Sequence, residues 1–526
     1  MTRGAEMPSA SPTRRIGADF AALMGGWMAR AALGVVISVV TARYLQPDDM
    51  GCYAFLVWLA GLLAVALSLG LPTALTRYTA EAIGGGRPAA AGTLLRLVAR
   101  WQLALIAMAV VGIAVAAVLA PSWRLLLVLM GLSVPALVLN GSVGAFLSGL
   151  QVFRTPALLS VGALGLLAGL FVVVAGLDWG VGGLLLAHAV ANGAGLGMLL
   201  WLAWREGRRH GALPAPTEMA AGTRADVVRY ARATSALVVL DAVVWQRTEV
   251  AFLQALAPTA EIAFYALAFG VAAQISRIPA QASAVLFPRF PALVGAGRAD
   301  ELARLHASAM RYLVLLGAPL AVGLAVTAPA IVRLLYGSAY DPAAPVLTVL
   351  ALGSLVSFAA GASPAVVHAT KHQDRLLYQG LLAAAVDLLL AFVLVPGAGA
   401  LGAALASVAA QSLGSILAIR AAIRIAGADV PVAALVRIVA AALAMGVVAA
   451  VPVVALGGAA GLGAAVMVGA AAYPLALRGL RALTAEDLER ARVLVERLPL
   501  RARAGGLVVA GFLCRGPLEQ PWSPSR

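Results

Sequence analysis

The stretch LVVLDAVVWQRTEVAFLQAL (237–256) carries an acid, an amide, an arginine and a second acid inside an otherwise apolar run. In hydrocarbon each such group is costly unless it meets a partner or water. At about 100° per residue, Asp241, Trp245, Thr248 and Glu249 share one face of a helix. Arg247 projects about 160° from Glu249 and about 120° from Asp241, so an unbroken helix keeps it from pairing with either. Its partners would then lie on other helices, on a substrate or in a water-filled cavity. Other polar groups are set into apolar runs in the same way. Arg30 stands 211 residues before Asp241, and Gln274, Arg277 and Gln281 form a stripe at i, i+3, i+7 that Pro279 can bend. His188 and Asn192 share a face at i, i+4, and Asn140 and Asp387 are isolated polar residues in apolar runs. Arginine grips phosphate oxygens bidentately and stays charged. Amides, hydroxyls and tryptophan faces suit sugars, and a carboxylate shielded from water can carry a proton.

The elements that position these groups follow from composition. Apolar residues make up 62% of the chain and charged residues 12%, against about 25% charged in soluble domains. The net charge of +15 does not gather into a nucleic-acid-binding face; the arginines punctuate apolar runs instead. Cys52 and Cys514 fit neither a disulfide framework nor a metal site. His368 and His372 have metal-like i, i+4 spacing but no third ligand, and no cofactor is expected. The N-terminal apolar run is too long for a signal-peptide core and reads as an uncleaved first span.

Runs long enough to cross about 30 Å of hydrocarbon fall at 17–42, 52–71, 102–120, 125–147, 157–177, 180–204, 233–257, 262–286, 312–330, 345–369, 376–396, 399–419, 438–456 and 461–477. With the N-terminus in the cytoplasm, only Arg43, Arg124 and Arg333 of the 38 Lys and Arg fall in outside loops. Arg30, Arg247 and Arg277 lie within spans, and all the rest are inside, as positive-inside topology demands. The expected fold is an all-α polytopic membrane protein of 14 transmembrane helices with both termini cytoplasmic. LTAEDLERARVLVERL, in the C-terminal tail, adds a surface helix that Thr484 can cap.

The chain is also duplicated. Leu45, Pro47 and Tyr53 match Leu256, Pro258 and Tyr265; Arg87 and Arg100 match Arg298 and Arg311; GVGGLLLAHAVAN (180–192) aligns with GALGAALASVAAQ (399–411). The expected organisation is a cytoplasmic arm (1–16), a six-helix half (17–219), a second six-helix half (220–425), two extra helices (426–480) and a basic tail (481–526). The repeat brings Arg30 and Asp241 to matching depths. Transporters built from repeats hold substrate near midplane, between halves that rock about it.

Four segments, ARAALGVVISVVTARYLQPDDMGCYAF (29–55), DAVVWQRTEVAFLQALAPTAEIAFYALAF (241–269), LYGSAYDPAAPVLTVLALG (335–353) and GALGAALASV (399–408), resemble the Wzx-like polysaccharide flippases. These belong to the multidrug/oligosaccharidyl-lipid/polysaccharide exporter superfamily. The resemblance covers residues from about 17 to 480. It implies a V-shaped bundle in the bacterial inner membrane that moves polyprenyl-pyrophosphate-linked oligosaccharide to the outer leaflet, beside a polysaccharide polymerase and other assembly proteins. At Asp387 the family more often has Asn, so a titrating role there is not inherited. On this footing Arg30, Arg247 and Arg277 would neutralise the diphosphate. Trp245, Gln246, Gln274, Gln281, Asn140, His188 and Asn192 would meet the glycan, and Asp241, Glu249 and Asp387 would couple transport to an ion gradient. The plainer alternative stays open: Arg247 and Arg277 lock helices by pairing with Glu249 and Asp241, Arg30 snorkels, and Asp387, His188 and Asn192 glue helices together. An enzyme acting on the same lipid carriers is the rival class, but outside loops are short and no GxxxxGK, HExxH, GxSxG or CxxC motif occurs. A peptidoglycan-precursor flippase and a multidrug exporter are the rivals among transporters.

Overall fold

The computed structural model describes residues 12–213, 225–232, 234–235, 238, 247–277, 289–370, 372–427 and 430–483. Among these, regular structure is entirely helical. A chain crossing hydrocarbon must bond every backbone N–H and C=O internally, and a helix does so within each span. Eleven of the helices are long and apolar enough to cross a membrane.

The expected span boundaries meet physical breaks. Pro12–Tyr44 covers the first span, and Pro47 opens the next helix at a position that needs no N–H donor. The separations around 121–124 and 178–179 are a 3-10 turn at Pro121–Trp123 and a left-handed residue at Asp178. The spans at 376–396 and 399–419 form one run, Gln373–Ala426, divided at Gly399, whose φ of 50 and ψ of −129 are not helical. The expected 52–71 span stops at Ser68, because Leu69 and Gly70 both take positive φ. A separate helix, Leu71–Gly84, follows. The third and ninth spans extend well beyond their apolar cores, as Pro88–Leu119 and Ala299–Leu335.

The seventh span departs most from expectation. The apolar run predicts a continuous helix over 233–257, but Arg247 takes a φ of 61 and the helix Glu249–Leu256 starts two residues later. Asp241, Trp245 and Gln246 lie outside the described residues, as do Gln281 and the tail helix from Thr484.

Chain contacts define two units: Met1–Leu267 with Ala391–Ala403, and Ala268–Leu390 with Ala404–Arg526. In the first, Phe146, Leu147, Leu75 and Val98 centre a core between Leu71–Gly84, Pro88–Leu119 and Arg124–Gly149. Gly92 lets its helix approach the backbone of Ala212, where a Cβ would lie 1.8 Å from the carbonyl oxygen. In the second, Phe358, Val314, Ala441 and Met445 join Ala299–Leu335, Ala343–Ala360 and Val432–Leu456. Tyr473 donates to the Leu315 carbonyl at 2.8 Å and ties Gly458–Gly479 to that group. Large apolar side chains such as Val454, Met467 and Leu119 stay exposed, as lipid-facing positions must.

Small residues set the helix spacing, since hydrocarbon gives no hydrophobic drive between helices and close packing takes its place. A Cβ on Gly317 would lie 2.2 Å from the ring of the fully buried Phe358. Gly317→Val is therefore expected to cost ~1–3 kcal/mol and lower the melting temperature of the purified protein. Adding Phe358→Leu should restore part of the loss, and an unchanged melting temperature in Gly317→Val would show that the two helices part freely.

Candidate functional site

The intramembrane polar residues of the first unit fall into two groups. The first is aromatic and neutral. Tyr53, on Pro47–Ser68, pairs its hydroxyl with Nε2 of His188, on Gly180–Arg209, at 2.7 Å. Phe171 stands edge-on to both rings, 6.1 Å from Tyr53 and 5.4 Å from His188 between centroids. His188 is thus held in an aromatic nest. Asn192, one turn on, faces a different partner: its backbone carbonyl accepts from Nδ2 of Asn140 at 3.4 Å. Oδ1 of Asn140 is buried with no hydrogen-bond partner among the described residues.

The second group is charged. Arg247 sits at the break in the seventh span and acts electrostatically on Tyr265 and Glu249. Glu249 is 2% exposed and Tyr265 fully buried. The left-handed residue at 247 means that the unbroken helix assumed for the wheel does not hold at this position. A non-glycine residue at positive φ is strained by about 1–3 kcal/mol and persists only where its surroundings hold it, often at functional positions.

The sequence also underrated two tyrosines. Tyr53 and Tyr265 served as markers of the repeat, yet both are buried and each stands beside a polar candidate of its own copy, His188 and Arg247. Their equivalence across the duplication was the signal available in the sequence.

Arg30 is exposed on Pro12–Tyr44, and its repeat counterpart Asp241 lies outside the described residues. Within the second unit, Arg277 is exposed just after Thr259–Ser276, and Gln274 donates to the Gly270 carbonyl at 3.2 Å. Oε1 of Gln274 is buried without a hydrogen-bond partner among the described residues. Asp387, also in this unit, is 1% exposed.

The duplicated corners carry matching ties. Tyr44 donates to Oδ1 of Asp178 at 3.0 Å and accepts from the Gly180 N–H at 2.7 Å. In the second copy, Oε2 of Glu261 accepts from the Ala400 N–H at 2.8 Å. Gly180 and Gly399, aligned by the repeat, both take positive φ. The two copies also meet: a Cβ on Gly51 would lie 2.0 Å from the Thr259 carbonyl oxygen. Pro47–Ser68 therefore crosses the corner after the seventh span at a backbone-to-backbone contact.

Comparison with known proteins follows from this geometry. The family described as polysaccharide biosynthesis protein matches residues 16–294, and the family described as lipid II flippase MurJ matches residues 276–470. No curated protein matches the sequence. Among solved structures, the lipid II flippase MurJ in an inward closed conformation superposes with a TM-score of 0.68 at 13% identity, over 86% of this chain and 97% of that one. An inward-facing multidrug resistance MATE family transporter of the MOP superfamily gives a TM-score of 0.60 at 14% identity, over 76% and 95%. The fold is that of these multi-pass membrane transporters.

Proposed function

The chain belongs to the polysaccharide biosynthesis protein family, and from this we propose that it is a flippase for polyprenyl-pyrophosphate-linked oligosaccharide. Its families are transporters and flippases rather than catalysts, and the load would cross from the inner to the outer leaflet by alternating access. The observation that carries the proposal is the match of more than half the chain to polysaccharide biosynthesis proteins.

The chemistry of the load fits the residues. A diphosphate needs cations that stay charged away from water, and Arg30, Arg247 and Arg277 offer guanidinium forks. A glycan needs donors, acceptors and flat apolar faces. Asn140, Asn192, His188 and Gln274, with Trp245, Gln246 and Gln281, are the side chains proposed for it. Asp241, Glu249 and Asp387 are proposed to couple transport to an ion gradient. The distribution of arginines supports a bacterial inner-membrane protein with cytoplasmic termini, where a polysaccharide polymerase would receive the product.

The test is export of surface polysaccharide from cells carrying glutamine at positions 30, 247 and 277. Export per molecule of the protein in the membrane is expected to be abolished; full export by the triple variant would sink the proposed site. A second reading rests on the MurJ family match over 276–470, and takes a peptidoglycan precursor as the load. Deletion of the gene separates the two. Lost surface polysaccharide with normal growth supports an oligosaccharide flippase, whereas lysis would overturn it in favour of the precursor.

A further inference from the structure

Along Gly180–Arg209, one exposed face passes from aliphatic to aromatic to cationic residues as it nears the end that the charge pattern assigns to the cytoplasm. There the guanidinium carbon of Arg205 lies over the ring of Trp201, 5.5 Å from its centroid, and that of Arg208 over Trp204 at 5.1 Å. We propose that these two pairs form a binding site for an anionic phospholipid headgroup of the inner leaflet. The site shares no residue with the proposed transport site.

Helical spacing sets this face. Leu186, Val190, Leu200, Trp201, Trp204 and Arg208 fall within about 100° of one another, and Arg205 flanks Trp201. All seven are exposed, whereas Leu202 and Ala203 turn into the core of the first unit. From Leu186 to Trp204 the stripe runs about 27 Å at 1.5 Å per residue, close to the ~30 Å depth of hydrocarbon. That length sets the indoles, 54% and 53% exposed, at the membrane–water interface where tryptophan prefers to sit. The guanidiniums follow one turn later, at the level of the headgroup phosphates. Each indole covers one face of its guanidinium and holds it in place, while the N–H donors lie in the guanidinium plane. A fork held in advance loses less freedom on binding, and a phosphate group can accept it bidentately. Glu206, the one acid in the last three turns of the helix, projects about 160° from Arg208. It pairs with Nη1 of Arg209 at 3.0 Å, and its carboxylate stands 3.9 Å from Nε of Arg205, beyond hydrogen-bond range. The aliphatic run above the indoles gives acyl chains a surface that a soluble anion would not use.

The experiment places the purified full-length protein in vesicles of equal phosphatidylglycerol and phosphatidylcholine, with bromine on the acyl chains of one lipid or the other. Bromine quenches nearby indoles, and the signal of this stripe is the difference made by Trp201→Phe with Trp204→Phe in each background. Brominated phosphatidylglycerol is expected to quench the stripe more, with a preference of about fivefold per arginine that shrinks as salt is raised. Arg205→Gln with Arg208→Gln should remove the preference, and lysine at both positions should retain most of it. A matched loss of two inner-loop charges elsewhere, Arg87→Gln with Arg229→Gln, should leave it unchanged. If the double glutamine variant fails to accumulate, Arg208→Gln alone decides, with a loss of about fivefold. Equal quenching by the two lipids in the unsubstituted protein, or quenching by neither, would overturn the proposal. So would a preference that survives the glutamine substitutions or falls equally in the matched control.

Discussion

Cells carrying both Arg247→Gln and Glu249→Gln are expected to hold normal amounts of the protein in the membrane and yet to export no surface polysaccharide. Arg247→Gln alone leaves the buried Glu249 without the cation that acts on it. Loss of a cation that acts on a buried carboxylate is destabilising, so the single variant should fall in abundance. Removing both charges removes that penalty, because no uncompensated carboxylate is left behind. Export is then a readout of transport alone, and it should fall at least tenfold if Arg247 meets the diphosphate, as tenfold corresponds to about 1.4 kcal/mol. Normal export by the double variant would mean that Arg247 and Glu249 only hold helices together, and the diphosphate role of Arg247 would fall. Quantitative immunoblotting beside a surface-polysaccharide assay measures both quantities in the same cells.

Gly51→Leu is expected to stop export for a steric reason. A Cβ at position 51 would stand 2.0 Å from the Thr259 carbonyl oxygen. The obstacle is backbone, which cannot rotate away as a side-chain tip can, so the two corners must part. Under the proposed alternating access, parting them disfavours the state in which this contact is made. Overpacking costs about 1–3 kcal/mol, and each 1.4 kcal/mol taken from that state lowers its population about tenfold. Export should drop at least tenfold with the protein still present. Cysteines introduced at the two corners of the leucine variant should crosslink less than in a Gly51 background. Undiminished export and crosslinking would show that the corners do not need to close.

Much of the fold was legible because a membrane leaves little choice. Hydrocarbon thickness sets the length of each apolar run and the positive-inside rule sets the loops, so the spans and their separations at Pro121, Asp178 and Gly399 lie near where the residues place them. The repeat was legible too, and the alignment of Gly180 with Gly399 foreshadowed two positive-φ glycines at matching corners. The break at Arg247 was not. Left-handed backbone is signalled by glycine or asparagine, and an arginine placed there is held by its surroundings rather than by its own preference. Partners distant in sequence were hidden for a related reason. The i, i+4 spacing places His188 and Asn192 on one face but does not reveal that His188 bonds Tyr53, 135 residues away.

The amino-acid sequence by itself determined a duplicated, all-helical membrane chain, since burial in lipid acts on each segment independently of the others. Only the tertiary structure decided which groups meet. The Tyr53 and His188 pair and the contact of Gly51 with Thr259 depend on how separate segments pack. Packing in hydrocarbon is set by close fit and polar pairing between helices, and neither is written in the periodicity of any one of them.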